Sequence, residues 1–201
     1  GVNITLPFKT QLIKYVDSVD NNAKKIGAIN TIYKSNNKVI GTNTDGIGFV
    51  NSLKKDAKRN LKEQKVLILG SGGAARGIIF ELLKQKVALI TIKNRNYEKA
   101  ENLRKDILKS TQFSNINTVI WKMELLNERY DIVINTTSFG MKKNEHLDFN
   151  FTNLNSNALV CDIIYNPLET YFLSQAKARN IQTLNGVGML IRQAEVSFYK
   201  W

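Results

Sequence analysis

The chain has 201 residues, 43% of them hydrophobic, and a formal net charge of +12. That is enough apolar material to bury a core in one or two compact units. No apolar run is long enough to span a bilayer, and the opening Gly1-Val2-Asn3-Ile4-Thr5 lacks the basic and apolar regions of a secretion signal. One cysteine, Cys161, and one histidine, His146, give no cluster with metal-ligand spacing. Cys161 lies in an apolar run and has no partner for a disulfide, which points to a reducing, cytoplasmic setting. The lysines are scattered, as in Lys54-Lys55, Lys58-Arg59 and Lys142-Lys143. No aromatic-interleaved basic stripe forms, which argues against a nucleic-acid surface.

In chain order, residues 1–60 open with an extended segment, Val2 to Leu6. A turn containing Pro7 leads to an expected helix from Thr10 to about Val16. A helical or loop segment through Asn22-Ala23-Lys24-Lys25 precedes a strand at Ala28 to Lys34. Asn36-Asn37 turns the chain into a second strand, Val39-Ile40-Gly41, as in a hairpin. Gly46 to Lys58 reads as a helix with Phe49, Val50 and Leu53 on one face, placed to connect two domains.

From Leu61 onward strand-like and helix-like runs alternate. Strands are expected at 65–69, 87–92, 117–121, 131–135, 158–163 and 181–184, and helices at 74–85, 96–109, 123–126, 167–179 and 188–200. Alternation of this kind predicts a mostly parallel, doubly wound sheet with helices on both faces, an α/β architecture. The last helix carries Met189, Leu190, Ile191, Ala194, Val196 and Phe198. It is expected to be largely buried and to pack back against the first unit.

The first strand of this series, Lys65 to Leu69, runs straight into Gly70-Ser71-Gly72-Gly73-Ala74-Ala75-Arg76. Strand, glycine-rich turn and helix in this order form the phosphate-binding corner of a Rossmann-like dinucleotide fold. Gly70, Gly72 and Ala75 fill the pattern G-x-G-x-x-A. The first allows a tight turn, the second lets backbone approach a pyrophosphate, and the third lets the helix pack close to the strand. The helix N-terminus then offers unpaired N–H groups to the phosphates. After the second strand an NAD site usually has Asp or Glu for the ribose 2′-hydroxyl. This chain has Lys93-Asn94-Arg95-Asn96. An isolated Arg95 would be a solvated loop cation, but at this position its guanidinium can pair with a 2′-phosphate. The residues therefore point to NADP rather than NAD.

Further motifs follow one another in a distinctive order. They are Gly1-Val-Asn3-Ile-Thr5-Leu-Pro7-Phe8-Lys9, Ile26-Gly27-Ala28-Ile29-Asn30-Thr31 and Gly41-Thr-Asn43-Thr44-Asp45-Gly46. After the glycine corner come Asn135-Thr136-Thr137-Ser138-Phe-Gly140-Met141, Asp162-Ile-Ile-Tyr165-Asn-Pro167-Leu-Glu-Thr170 and Gly186-Val-Gly188-Met189-Leu190-Ile-Arg-Gln193. With them the chain resembles shikimate dehydrogenase from end to end. The resemblance implies a two-domain enzyme that reversibly reduces 3-dehydroshikimate to shikimate with NADPH, in chorismate and aromatic amino-acid biosynthesis. It implies an NADP-binding Rossmann-like domain at 61–187. Residues 1–60, joined by the C-terminal helix 188–201, would be a smaller α/β substrate domain, here partial. Lys9 and Asp45 would be the catalytic pair. Asn3, Thr5, Asn30, Tyr165 and Gln193 would hold the substrate. Gly70, Ser71, Gly72, Gly73, Ala74, Asn94, Arg95, Asn96, Thr136, Ile163, Gly186 and Met189 would line the cofactor. No metal, nucleic acid or membrane is implied, and the assembly would be a monomer or homodimer.

The chemistry suits these residue types. Hydride arriving at a ketone carbon leaves negative charge on oxygen, and a cation or proton donor there lowers the barrier. Lys9 can supply the charge. Asp45 can orient the ammonium and share a substrate hydroxyl, and either can carry the proton. Taken singly, Lys9 would be a surface lysine and Asp45 a helix cap; the motifs favour the catalytic roles. Family members normally start earlier, with a strand, a Ser-x-Ser substrate motif and a helix, and continue past the position of Trp201. The chain is thus expected to be a fragment or a shortened form, binding NADP measurably, turning over shikimate poorly and exposing a sheet edge. Two other readings stand beside this one. A quinate/shikimate dehydrogenase using NAD is disfavoured by the lack of an acid after the second strand. A non-catalytic dinucleotide-binding module is disfavoured by the presence of both Lys9 and Asp45.

Overall fold

Short polar-punctuated strands build the first sheet. The computed structural model describes residues 1–5, 7–125, 128–142 and 144–201. Strands β1 (Val2–Asn3), β2 (Ser18–Val19), β3 (Thr31–Ser35) and β4 (Lys38–Thr42) lie in the order β1-β3-β4-β2. The β3–β4 hairpin turns on Asn36 and Asn37, both left-handed with φ 47° and 62°, a conformation that asparagine tolerates better than most residues. Helix α1 (Asn21–Ile26) starts where the Asp20 side chain accepts from the Ala23 N–H at 2.8 Å and ends at left-handed Gly27. Helix α2 (Asp45–Lys55) follows β4 almost directly. Two expectations change here. The helix expected from Thr10 to Val16 is a 3₁₀ segment, Gln11–Tyr15, with no buried residue. Without a packed apolar face, so short a segment gains too little to sustain an α-helix. The two-residue β2, pairing parallel to β4, carries no period that a sequence could reveal. Leu6, the last residue of the expected opening strand, lies outside the described residues.

The second sheet follows from runs that are apolar at consecutive positions. Such runs need cover on both faces. Strands β5 (Lys65–Leu69), β6 (Leu89–Asn94), β7 (Ile116–Ile120), β8 (Tyr130–Asn135), β9 (Leu154–Asp162) and β10 (Gln182–Leu184) lie in the order β10-β9-β8-β5-β6-β7. Every pairing is parallel. Alternate residues feed two separate cores. Val66, Ile68, Ile90, Ile132, Ile134, Leu159 and Cys161 face one core, with Phe49, Leu53, Ile78, Leu82 and Leu103. Leu67, Leu69, Leu89, Val133 and Val160 face the other, with Leu147, Phe172 and Leu173. The first core is roofed by α2, α3 (Gly73–Lys84) and α4 (Tyr97–Ser110). The second is covered by α5 (Tyr171–Lys177) and an aromatic loop. The expected α/β class and parallel, two-faced sheet are thus present.

Some bounds shift. Residues 123–125 of the expected helix 123–126 are not helical, and Leu126 lies outside the described residues. Helix α5 begins at Tyr171, not 167, because Thr170 caps it. Helix α6 (Val187–Phe198) buries only Met189 and Ser197 fully, whereas Ile191 and Phe198 are exposed. The expectation of a largely buried last helix is therefore wrong. α6 meets α2 along a narrow stripe where Gly48 lies against Gln193, and Gly188 against Ser52 and Asp56. An Arg192–Asp56 ion pair closes that contact, and the guanidinium holds the Asp56 carboxyl below its ordinary range.

Candidate active site

The C-terminal edge of a parallel sheet is where backbone groups run out of strand partners, and here they are retied into a belt. Gly70, left-handed at φ 106°, donates its N–H to the Lys93 carbonyl at 2.8 Å. A side chain at Gly70 would press on Thr136 Oγ1. Thr136 in turn donates both N–H (2.9 Å) and Oγ1 (2.7 Å) to the Leu69 carbonyl. The Ile163 N–H reaches the Asn135 carbonyl at 3.1 Å and the Gly186 N–H reaches the Ile164 carbonyl at 2.9 Å. A Cβ on Gly186 would collide with the Ile163 carbonyl. Gly70, Thr136, Ile163 and Gly186 therefore lie along one edge, and Met189 is buried within the first turn of α6.

This edge fits a dinucleotide. A Cβ added to Gly72 would meet nothing within 4 Å, so the glycine turn opens on free space. Gly73 begins α3, and the first N–H groups of that helix have no intrahelical acceptor. Beside it, Asn96 caps α4 by accepting the Lys99 N–H at 2.9 Å, and Asn94 Nδ2 donates to the Asn96 carbonyl at 2.9 Å. Arg95 is exposed and makes no hydrogen bond or ion pair among the described residues. Ser71 and Ala74 are half-buried on the same turn.

A second cluster is made of side chains. Lys9 Nζ lies 2.6 Å from Asp45 Oδ2, with side-chain exposures of 14% and 6%. Asn30 Nδ2 donates to the other oxygen, Asp45 Oδ1, at 2.8 Å, and lies 2.9 Å from Thr44 Oγ1 and 3.3 Å from Gln193 Oε1. Asn30 Oδ1 accepts from the Thr44 N–H at 2.8 Å. Asp45 is not a cap. Helix α2 has no side-chain cap, and Asn43 Oδ1 takes the Asp45 N–H at 3.1 Å, which frees the Asp45 carboxylate to face Lys9.

Glycines lock the two groups together. Gly46 lies against the Gly77 carbonyl, so α2 starts in contact with α3 only because neither carries a side chain there. The Lys9 stem rests on Gly73, whose Cβ would lie 3.9 Å from Lys9 Cβ and Cδ. The ammonium thus stands at the glycine corner.

The structure brings Lys9, Asp45, Asn30 and Gln193 together. Asn3 stands at the edge, its Oδ1 3.4 Å from Thr31 Oγ1. Thr5 and Tyr165 are exposed, and neither side chain makes a hydrogen bond among the described residues. Three hydroxyls were not anticipated. Ser197 Oγ lies 2.7 Å from Thr31 Oγ1 and 3.1 Å from Thr44 Oγ1, and donates to the Gln193 carbonyl at 2.9 Å. The available signal was Ser197 standing four residues after Gln193, on the same helix face.

Residues 52–164 match the family model Shikimate / quinate 5-dehydrogenase, and residues 1–32 match the Shikimate dehydrogenase substrate binding domain. The chain belongs to the shikimate dehydrogenase family. Within it, the shikimate dehydrogenase (NADP(+)) of Geobacillus kaustophilus is 42% identical over 204 residues, which span all of this chain and 72% of that protein. A crystal structure of shikimate dehydrogenase in complex with NADP+ superposes with a TM-score of 0.88 at 41% identity, over 98% of this chain and 68% of that one. The ligand-free 5-ketofructose reductase of a Gluconobacter strain superposes with a TM-score of 0.89 at 37% identity, over 99% and 72%. No helix among the described residues is long and apolar enough to cross a membrane.

Proposed function

We propose that the chain is an NADP-dependent shikimate dehydrogenase, interconverting 3-dehydroshikimate and shikimate. The observation that carries this reading is the buried Lys9–Asp45–Asn30 cluster standing against the glycine corner. Residues 61–187 serve the cofactor, and residues 1–60, joined by helix 188–201, serve the substrate. Gly70–Ala74, Thr136, Ile163, Gly186 and Met189 hold the dinucleotide, and Asn94, Arg95 and Asn96 hold the adenosine end. Arg95, with no acidic partner among the described residues, answers the 2′-phosphate. When bound, NADPH supplies the hydride.

The remaining chemistry belongs to side chains of the chain. Lys9 Nζ, held by Asp45, is a positive charge for the oxygen that gains electrons, on a partly buried side chain where such a charge acts more strongly than in bulk water. Both Asp45 oxygens are already acceptors, one from Lys9 and one from Asn30. We therefore assign the proton donor to Lys9 and the orienting role to Asp45. Asn30 fixes the rotation of the Asp45 carboxylate. Asn3, Thr5, Tyr165 and Gln193 offer polar groups to a polyhydroxylated ring. The buried thiol of Cys161, pushed up by desolvation, suits a reducing cytoplasm. The working unit is a monomer or homodimer.

The likeness to a 5-ketofructose reductase favours one second reading, reduction of a neutral polyhydroxy ketone at the same Lys9–Asp45 pair. Initial rates with shikimate, quinate and 5-ketofructose, each with NADP(H) and NAD(H) in the appropriate direction, separate the two. The proposal expects shikimate and NADP to give the highest kcat/KM. Preference for the ketohexose would establish the second reading, and preference for quinate with NAD would overturn both.

A further inference from the structure

One carboxylate on the cofactor edge has no part in the chemistry above. Asp162 ends β9, is fully buried, and has no cation partner among the described residues. Its oxygens are filled from the end of β8 and from both ends of the connection between β9 and α5. Asn135 Nδ2, at the end of β8, donates to Oδ1 at 3.1 Å; the Ile164 N–H donates to the same oxygen at 3.0 Å; Thr170 Oγ1, at the start of α5, donates to Oδ2 at 2.8 Å. Asn135 passes the constraint on, because its Oδ1 accepts the Thr137 N–H at 3.0 Å and Oγ1 at 2.7 Å. Ile164 passes it on as well, because its carbonyl holds the Gly186 N–H. One side chain therefore ties the loop after β8, the loop after β9 and the turn before α6. Those are the segments that carry Thr136, Ile163 and Gly186.

Every hydrogen-bond partner of the carboxylate among the described residues is a donor, an arrangement that suits an anion. A proton on Oδ1 would face two N–H donors. A proton on Oδ2 would force the Thr170 hydroxyl to turn away while it still accepts the Leu173 N–H at 3.4 Å. Burial nevertheless pushes the carboxyl up to about 6 against the pull of these three donors. A buried anion without a cation burdens the fold, and a burden of this kind beside a cleft is a mark of function.

We propose that Asp162 is a positioning residue for hydride transfer: as an ionised acceptor it sets the spacing of the three loops that hold the nicotinamide end of the cofactor. The proposal rests on the NADP reading above. Titratable groups on the surrounding elements are Cys161 on β9, Tyr165 and Glu169 on the loop, Tyr171 on α5, His146, stacked on Tyr171 at 4.4 Å, and Glu145, which accepts the Gly140 N–H at 3.1 Å on the loop after β8. Glu169 is already paired with Lys177. On β8, Tyr130 and Asp131 lie at the opposite end of the strand.

The test uses NADH, which lacks the 2′-phosphate, a group that itself titrates at about 6. NADH affinity is followed by fluorescence from about pH 5 to about pH 8 in wild type, Asp162→Asn and His146→Gln. Wild type and His146→Gln should lose about tenfold in affinity as pH falls through the Asp162 transition, and Asp162→Asn should be weak and flat throughout. At neutral pH Asp162→Asn should also lose about 10- to 100-fold in kcat with the KM for shikimate unchanged, as small misplacements cost large factors in rate. A flat wild-type profile would overturn the proposal, as would an Asp162→Asn protein with wild-type affinity and kcat. Should the variant fail to fold, the wild-type and His146→Gln profiles still decide. Flat NADH binding with normal NADPH-dependent turnover removes only this proposal, whereas binding of neither dinucleotide removes the functional reading too.

Discussion

The glycine corner and the Lys9 cluster stand side by side but are built from opposite materials. The corner is mostly backbone: Gly70, Gly72 and Gly186 are defined by side chains that would not fit, or by space left open, and apart from the Thr136 hydroxyl its hydrogen bonds run between N–H and carbonyl groups of neighbouring strand ends. The cluster is side chain. It joins Lys9, Asn30, Asp45 and Gln193, and the hydrogen-bonded Asn30 and Gln193 are 163 residues apart in sequence. A backbone site tolerates changes of side chain and fails when a Cβ is added. A side-chain site fails one residue at a time. The difference predicts that the two sites can be damaged independently.

The largest effect is expected from the cluster. Lys9→Ala should lower kcat about 10²- to 10⁴-fold while leaving the NADP dissociation constant within about twofold, because the ammonium contributes charge and a proton but few cofactor contacts. Steady-state kinetics with calorimetry checks it, and near-normal turnover would remove Lys9 from the reaction. The next concerns a buried side chain on which the cofactor edge depends. Burial pushes the Asp162 carboxyl up to about 6 from an ordinary value of 3.8. A raised folded pKa gives a stabilising contribution that is complete below 3.8 and lost as pH rises through about 6. Neutral Asp162→Asn escapes that loss. Its stability relative to wild type should therefore rise, by up to about 3 kcal/mol, between about pH 4 and about pH 7. Denaturant melts at the two pH values measure the shift, and no change would mean that the carboxylate is not burdened.

Arg95→Ala should weaken NADP by about 10- to 100-fold and NAD hardly at all, the loss of a charge-assisted contact worth about 1.5–3 kcal/mol. Equal losses for both cofactors would place Arg95 in the fold or at the shared adenosine. The smallest effect should come from Ser197→Ala. Removing a hydroxyl shared by Thr31 and Thr44 should cost about 1 kcal/mol of stability and raise the KM for shikimate several-fold through Asn30, with the NADP constant unchanged. A change in NADP affinity instead would show that the hydroxyl network reaches the other corner.

The same contrast explains what could be read before the fold was known. Lys65–Leu69 into Gly70–Ala75 is local, periodic and short-range, so strand, turn and helix follow from spacing alone. The Asn36-Asn37 hairpin is legible for the same reason. The Gln11–Tyr15 segment and Ser18–Val19 are not: the first has no packed apolar face to sustain an α-helix, and the second is a two-residue strand fixed by its pairing with β4. Helix α6 misleads because its apolar residues suggest burial, while the actual contact uses Gly188 and the small stripe beside Gln193. The meeting of Lys9, Asp45, Asn30 and Gln193 was anticipated through motif resemblance, not through spacing. Thr31, Thr44 and Ser197 were missed because a buried threonine on a strand looks like any β-former and a helical serine looks neutral. Only the fold shows their hydroxyls within reach of one another. Asp162 was visible as the first residue of a motif, but its role depends on meeting Asn135 from the end of β8 as well as Ile164 and Thr170 of its own motif.

The division of labour between the corners is tested most directly by a double-mutant cycle on Lys9→Ala and Arg95→Ala, read in both NADP dissociation constant and kcat. The account predicts that Arg95→Ala alone moves the dissociation constant, that Lys9→Ala alone moves kcat, and that the double variant shows the two losses added within about 0.5 kcal/mol. A Lys9→Ala protein that loses NADP affinity as strongly as Arg95→Ala, or a coupling energy well above that margin, would contradict it.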